Sequence, residues 1–179
     1  MKVNIGPYKD DDSEREIDVV IEGFDTWSMD STLAYIVLPM LKQLKATKYG
    51  SPIVDEKDVL EHLRSTKEEK EHLRKTGEVD DKFFARWDWV MDEMIFAFES
   101  VHDAWEDQFY SGESDHIYTP VDVHGEDDVS EKKPAASWYR IDNGPNHTFK
   151  IDEDGLNAYQ TRIENGFRLF GKYFTSLWD

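Results

Sequence analysis

DDKFFARWDWVMDEMIFAFESVHDAW, residues 80 to 105, carries a long apolar repeat of helical period. Its apolar residues Phe84, Trp87, Met91, Met94, Phe98, Val101 and Trp105 recur at alternating intervals of three and four. Since each helical residue turns the chain by about 100°, that spacing lays them along one stripe of a long helix. The opposite side carries Asp88, Asp92, Glu93, Glu99 and Asp103. A helix of this kind must bury its stripe against other elements, and the chain supplies two more with the same period.

The first runs from about Met29 to Lys48, with Ser28 or Asp30 as its cap and Leu33, Ile36, Val37, Met40, Leu41 and Leu44 on the buried face. Pro39 removes an amide donor and crowds the carbonyl four residues back, which predicts a kink or break between Tyr35 and Pro39. Lys42, Lys45 and Lys48 put positive charge where the helix dipole favours it, and Gly50 and Pro52 end the element. The second runs from about Asp154 to Leu177, with Leu156, Tyr159, Ile163, Phe167, Phe170, Phe174 and Leu177 at spacings of three and four. Its length and period match those of the central helix, so the two are expected to pack together.

Strand signals are fewer. In EIDVVIEGF, residues 16 to 24, Ile17, Val19 and Ile21 alternate with Asp18, Val20 and Glu22, the pattern of a strand with one apolar face. SWYRID (137 to 142), the turn NGPN and HTFKID (147 to 152) predict a hairpin, with Asn143 and Gly144 supplying positive φ and the strand at 16 to 24 as third partner. The predicted class is α+β: long amphipathic helices packed on a small antiparallel sheet made of this hairpin and the N-terminal strand. Residues 55 to 76 are strongly charged and predict surface helices, the second opened by a Ser65/Glu68 capping box and stopped by Gly77. Residues 111 to 135 predict a mobile acidic loop, in which only 117 to 123 has strand character.

With 179 residues the chain fits a single domain spanning 1 to 179. Its 39 acidic and 21 basic residues leave a net charge of -18, which repels polyanions and disfavours general binding to nucleic acid or anionic membranes. There is no cysteine, so disulfides, thiolate metal sites and cysteine nucleophiles are excluded. No stretch approaches the 18 or so apolar residues of a membrane span, and the N-terminus lacks the apolar core of a signal peptide. The expected product is soluble where it is made.

Few patterns carry chemistry. Glu99-Ser-Val-His102 and Glu69-Lys-Glu-His72 each place a carboxylate and an imidazole on one helical face, as in di-iron bundles, but such sites need two core helices and two further glutamates. Glu99 and His102 are thus weak metal candidates, and a partly exposed histidine beside a solvated carboxylate explains them as well. Asp88, Asp92 and Glu93 suit a hard cation, yet solvated helix charges account for them, with Arg86 as a nearby ion-pair partner. Asp152-Glu-Asp-Gly155 resembles part of a calcium loop but fails in register, with Lys150 and Thr161 at its end positions. Phosphate-binding glycine loops, nucleophile elbows and HExxH helices are missing. The reading points away from an enzyme, and no cofactor is expected.

Binding has better support. Rings and bases lie together outside the central helix: Phe24, Trp27 and Tyr35; Trp138, Tyr139 and Arg140; and NGFRLFGKYFTSLWD with Arg168 and Lys172. Such pairings anchor interfaces and base-stacking pockets, although rings at helical spacing also serve as core. For an anionic ligand such as a nucleotide the candidates are Trp138, Arg140, His147, Lys150, Arg168 and Lys172.

Five stretches, DTWSMDSTLAYIVLPMLKQLK, DDKFFARWDWVMDEMIFAFES, WEDQFYSG, NGPNHTFKIDEDG and NGFRLFGKYFTSLWD, together resemble an uncharacterised family of small acidic proteins of tailed bacteriophages. The likeness covers most of the chain from Asp25 onward and carries no catalytic residue. It implies a context, the cytoplasm of an infected bacterium. The resulting expectation is a non-enzymatic accessory binding protein of the counter-defence type that holds a host protein or sequesters a small anionic ligand. A metal-dependent enzyme built on carboxylates and His102, and a virion or assembly component, are the alternatives. The aromatic surface is also compatible with a homodimer.

Overall fold

The computed structural model describes residues 1–8, 14–121 and 138–178. In chain order the elements are β1 (Lys2–Ile5), β2 (Ile17–Val20), α1 (Gly23–Trp27), α2 (Met29–Thr47), α3 (Lys67–Thr76), α4 (Phe83–Ser100), β3 (Tyr110–Ser111), β4 (His116–Val121), β5 (Trp138–Asn143), β6 (Lys150–Ile151) and α5 (Glu153–Tyr173), with short 3-10 turns between them. The class is α+β, with long helices and three antiparallel pairs, β1 with β2, β3 with β6 and β4 with β5. Two compact units are formed, one by Met1–Ala104 with Tyr159–Asp179 and one by Trp105–Ala158.

The core of the first unit is built on α4. Trp87, Met91, Met94 and Phe98 are buried as the stripe requires, but so are Arg86, Val90, Glu93, Ala97 and Ser100 on an adjoining face. The cause is the number of neighbours. Ala34 and Leu41 of α2, Val54 and Val59 of the following loop, and Leu169 and Tyr173 of α5 all join the same cluster. The outer positions of the predicted stripe leave the α4 core: Phe84 is exposed, and the half-buried Trp105 belongs to the second unit, because α4 ends at Ser100, whose Oγ donates back to the Phe96 carbonyl at 2.9 Å. At its start Asp80 Oδ1 accepts the Lys82 amide at 2.9 Å.

Helix α2 runs unbroken through Pro39, so the predicted break does not occur. Ala34 and Leu41, on either side of the proline, both pack into the core, and a ladder of ion pairs follows it. Lys42 meets Glu99 at 2.7 Å, Lys45 meets Asp92, and Lys48 meets Asp88 at 2.5 Å. Since the α2 numbers rise as the α4 numbers fall, the helices are antiparallel. Leu33 and Met40, expected inside, are exposed, because the ladder turns the lysine side of α2 towards α4.

Helix α5 approaches α4 at Gly166. A Cβ there would lie 2.3 Å from the Glu93 carbonyl oxygen and 2.5 Å from Ala97 Cβ, so only glycine permits this approach. The buried face of α5 is accordingly Ile163, Gly166, Leu169 and Tyr173, and Phe174, expected inside, lies exposed in the 3-10 turn that follows. Helix α3 is capped by Thr66 with Glu69, one residue later than predicted, because Ser65 Oγ donates instead to Asp80 at 2.6 Å. Gly77 ends it in the left-handed conformation with φ of 79°.

The N-terminal strand pairs with β1, its neighbour in the sequence, with Val3 opposite Val19 and Ile5 opposite Ile17. The predicted hairpin across residues 143 to 146 does not form. In the second unit β5 pairs with β4, from His116 opposite Asn143 to Val121 opposite Trp138, and β6 pairs with β3. Among the described glycines only Gly77 and Gly112 have positive φ, so Gly144 does not make the two-residue turn that a hairpin needs. The chain there wraps around Asp115, whose carbonyl accepts the Gly144 amide and whose Oδ2 accepts the Asn146 amide, each at 2.9 Å. Gly112, at φ of 80° and against the Thr148 carbonyl, makes the turn between the two ladders. Of the predicted acidic loop, Ser111 and His116–Val121 are in strands, 112 to 115 connect them, and 122 to 135 lies outside the described residues.

Candidate functional site

A concavity in the first unit lies between α2 and the end of α5. It has a volume of about 810 Å³ and is lined by Val37, Pro39, Met40, Leu41, Gln43, Leu44 and Thr47 on one side and Phe170, Phe174 and Leu177 on the other. No lining residue is charged. Along α2, Met29, Leu33, Ile36, Met40, Gln43 and Thr47 succeed one another at three and four and continue this uncharged strip along the helix. The lysine ladder explains the strip: the α2 cations are turned towards α4, which leaves the remaining sector apolar. Met40 and Phe174 project with 65% and 62% of their surface open.

Of the predicted anion ligands, Arg168 and Lys172 lie in the first unit and do converge, but on a carboxylate of the protein. Asp58, buried at the foot of the loop that follows α2, receives Lys172 Nζ at 2.5 Å, the Tyr173 hydroxyl at 2.7 Å and Arg168 Nη2 at 2.9 Å. Lys172 also holds Asp55 at 3.0 Å, and the Tyr173 oxygen accepts the Asp55 amide at 2.9 Å. Burial pushes the Asp58 carboxyl up, but the hydrogen bonds from Lys172, Tyr173 and Arg168 outweigh it and hold the group below the ordinary carboxylate value. The hydrogen bond to Asp58 raises Lys172 in turn. This cluster pins a loop to a helix and spends its cations in doing so.

The other candidates belong to the second unit. Trp138 is exposed at the start of β5, and Arg140 pairs with Asp142 two residues on, at 2.8 Å. His147 turns Nδ1 to the backbone of Asp115, with its ring 5.2 Å from that of His116. Lys150 is in β6 opposite Ser111.

The metal candidates are engaged elsewhere. Glu99 is the partner of Lys42, and His102 stacks on Tyr35 with centroids 4.1 Å apart while Nδ1 lies 3.4 Å from Ser31 Oγ. Asp88 and Asp92 belong to the ladder, Glu93 is buried and held by Arg162, and Arg86 turns away from all three to Asp80 at 2.9 Å. Among the described residues no three His, Asp or Glu side chains are grouped to hold a metal ion. No described helix is long and apolar enough to cross a membrane.

Two features escaped the sequence reading. The uncharged strip was masked by Leu33 and Met40, which fit a core-facing stripe equally well. On α3, Lys67 and Arg74 share one exposed side without an acidic partner among the described residues, a placement that their separation of seven signals. No family model, curated protein or solved structure matches the chain.

Proposed function

We propose that the protein is a non-enzymatic binding protein that holds another protein in the groove between α2 and the end of α5. The observation that carries this reading is the uncharged apolar lining of that groove on a chain of net charge -18. Contiguous apolar surface of this kind, bordered by ion pairs, is how docking sites differ from ordinary solvated surface. Its ridge of side chains at three and four suits an amphipathic helix as the occupant, and the acidic body steers basic partners towards it. Sequestration of a small anion is the weaker form, because Arg168 and Lys172 are already neutralised by Asp58 and Asp55. The resemblance to phage proteins makes a protein of the bacterial host the natural partner.

A photo-crosslinking amino acid at Met40, compared with one at the exposed Glu68 of α3, tests the proposal in bacterial lysate. A discrete adduct at position 40 that is missing at 68, and that disappears on adding Phe174→Asp, is the expected result. Equal labelling at both positions, or none at 40, would overturn the groove as a docking site.

A further inference from the structure

One face of the β1–β2 ribbon is apolar and exposed. Val3 and Ile5 stand directly opposite Val19 and Ile17, so all four side chains share one face, and Ile21 continues it. The other face is largely polar, with Lys2 and Asp18 paired at 2.7 Å beside Asn4, and Val20 opposite Lys2. The five aliphatic residues are 39% to 68% exposed, and Phe24 and Trp27 of α1, which follows directly, are 85% and 84% exposed. A two-stranded ribbon is marginal in water unless its apolar face is covered. The one long undescribed stretch, 122 to 137, offers just two valines and two alanines among its sixteen residues, too little apolar surface for that task.

We infer that the ribbon face, extended by Phe24 and Trp27, is the interface of a homodimer. Three properties fit a second copy. The ribbon's aliphatic face carries no charged side chain, and Asp25 beside Phe24 is paired with the Met1 ammonium at 2.9 Å, so two copies can meet there although each has a net charge of -18, whose long-range repulsion is screened beyond about 8 Å at physiological salt. Its aliphatic pairs, Val3 with Val19 and Ile5 with Ile17, lie on one face, which a two-fold axis can set against the same face of a second copy. The open parts of its seven large side chains amount to roughly 800 Å² per copy, the area that a standard stable interface removes from each partner. The groove on α2 is not consumed, so the dimer presents two of them.

A chain without cysteine allows a direct test. Sedimentation equilibrium over a hundredfold concentration range should give twice the monomer mass at the upper end, and Ile17→Lys with Val19→Lys should give a monomer with unchanged helical circular dichroism. Should that double variant fail to fold, single cysteines decide the matter: under diamide, Val19→Cys cross-links two copies rapidly, whereas Val20→Cys on the other face does not. A monomeric wild type, equal cross-linking at 19 and 20, or a dimer dissolved by Met40→Asp but not by the ribbon variant would each overturn the inference. The last outcome would also place a second copy in the α2 groove.

Discussion

Arg162 on α5 grips the buried carboxylate of Glu93 on α4 through two nitrogens, Nη2 at 2.7 Å and Nε at 3.0 and 3.1 Å from the carboxylate oxygens. The guanidinium also lies 3.7 Å above the ring of Phe96. The partners are unequal: the Glu93 side chain is 8% exposed and that of Arg162 49%. Removing the arginine strands a buried charge, whereas removing the charge on Glu93 leaves an arginine that water can solvate. Arg162→Met should therefore cost about 3 kcal/mol and Glu93→Gln about 1 kcal/mol. Urea denaturation of both variants checks the order.

Gly166→Ala tests the approach of the two helices. Its methyl group meets the Glu93 carbonyl, which is backbone and cannot step aside, so a loss of about 2–3 kcal/mol is expected despite the better helix propensity of alanine. Ala97→Gly in the same chain should restore only part of it, since it removes one of the two close contacts. Thermal melts of the single and double variants provide the measurement.

The Asp58 cluster predicts how stability follows pH. The Asp58 carboxyl is held below its ordinary 3.8 in the folded chain, so its contribution is complete above 3.8 and is lost as pH falls through the lower folded value. Lys172 is raised above 10.5, so its contribution is complete below 10.5 and is lost as pH rises through the higher folded value. Tyr173 is raised above its ordinary 10.0 as well, so the cluster contributes a flat plateau between 3.8 and 10.0. Asp58→Asn should lower that plateau by about 2 kcal/mol, less than for a fully buried pair because Arg168 and Lys172 reach solvent. Denaturation midpoints from pH 3 to pH 9 test both the plateau and the shallower acid limb of the variant.

The central helix should answer to packing and not to metal. Met94 is wholly buried, and Met94→Asp places an unpaired charge in the core, which should unfold the protein as followed by circular dichroism. His102→Ala loses an exposed stack on Tyr35 and should cost under about 1 kcal/mol. Elemental analysis of the wild type and this variant, both purified without chelator, should give the same substoichiometric iron, zinc and manganese.

What could be read in advance follows from the range of the interactions. The stripe Trp87, Met91, Met94 and Phe98 is local periodicity, and it located the core correctly. Glu93 looked solvent-facing because its partner is 69 residues away, and nothing near it in the chain announces a second buried face. Residues 143 to 146 carry the local signal of a hairpin, but strand pairing is a contest between distant segments, and β5 takes all six residues of β4 as its partner instead of the adjoining 147 to 152. Arg168 and Lys172 were rightly singled out as cations set among rings, yet which anion they hold depends on Asp58, 110 and 114 positions earlier. The groove was the least legible feature, since exposed and buried methionines look alike in a list of letters.

The lysines of α2 also act as a registration device. A slip of α2 by one residue turns it by about 100°, which would break all three ion pairs at once and swing Lys42, Lys45 and Lys48 out of their seats beside Glu99, Asp92 and Asp88. The same rotation would displace Met40 from the groove wall. Interactions that are each worth only ~0.2–1 kcal/mol thereby select which side of the helix the outside world meets, and substitutions that never touch the groove can still redraw it.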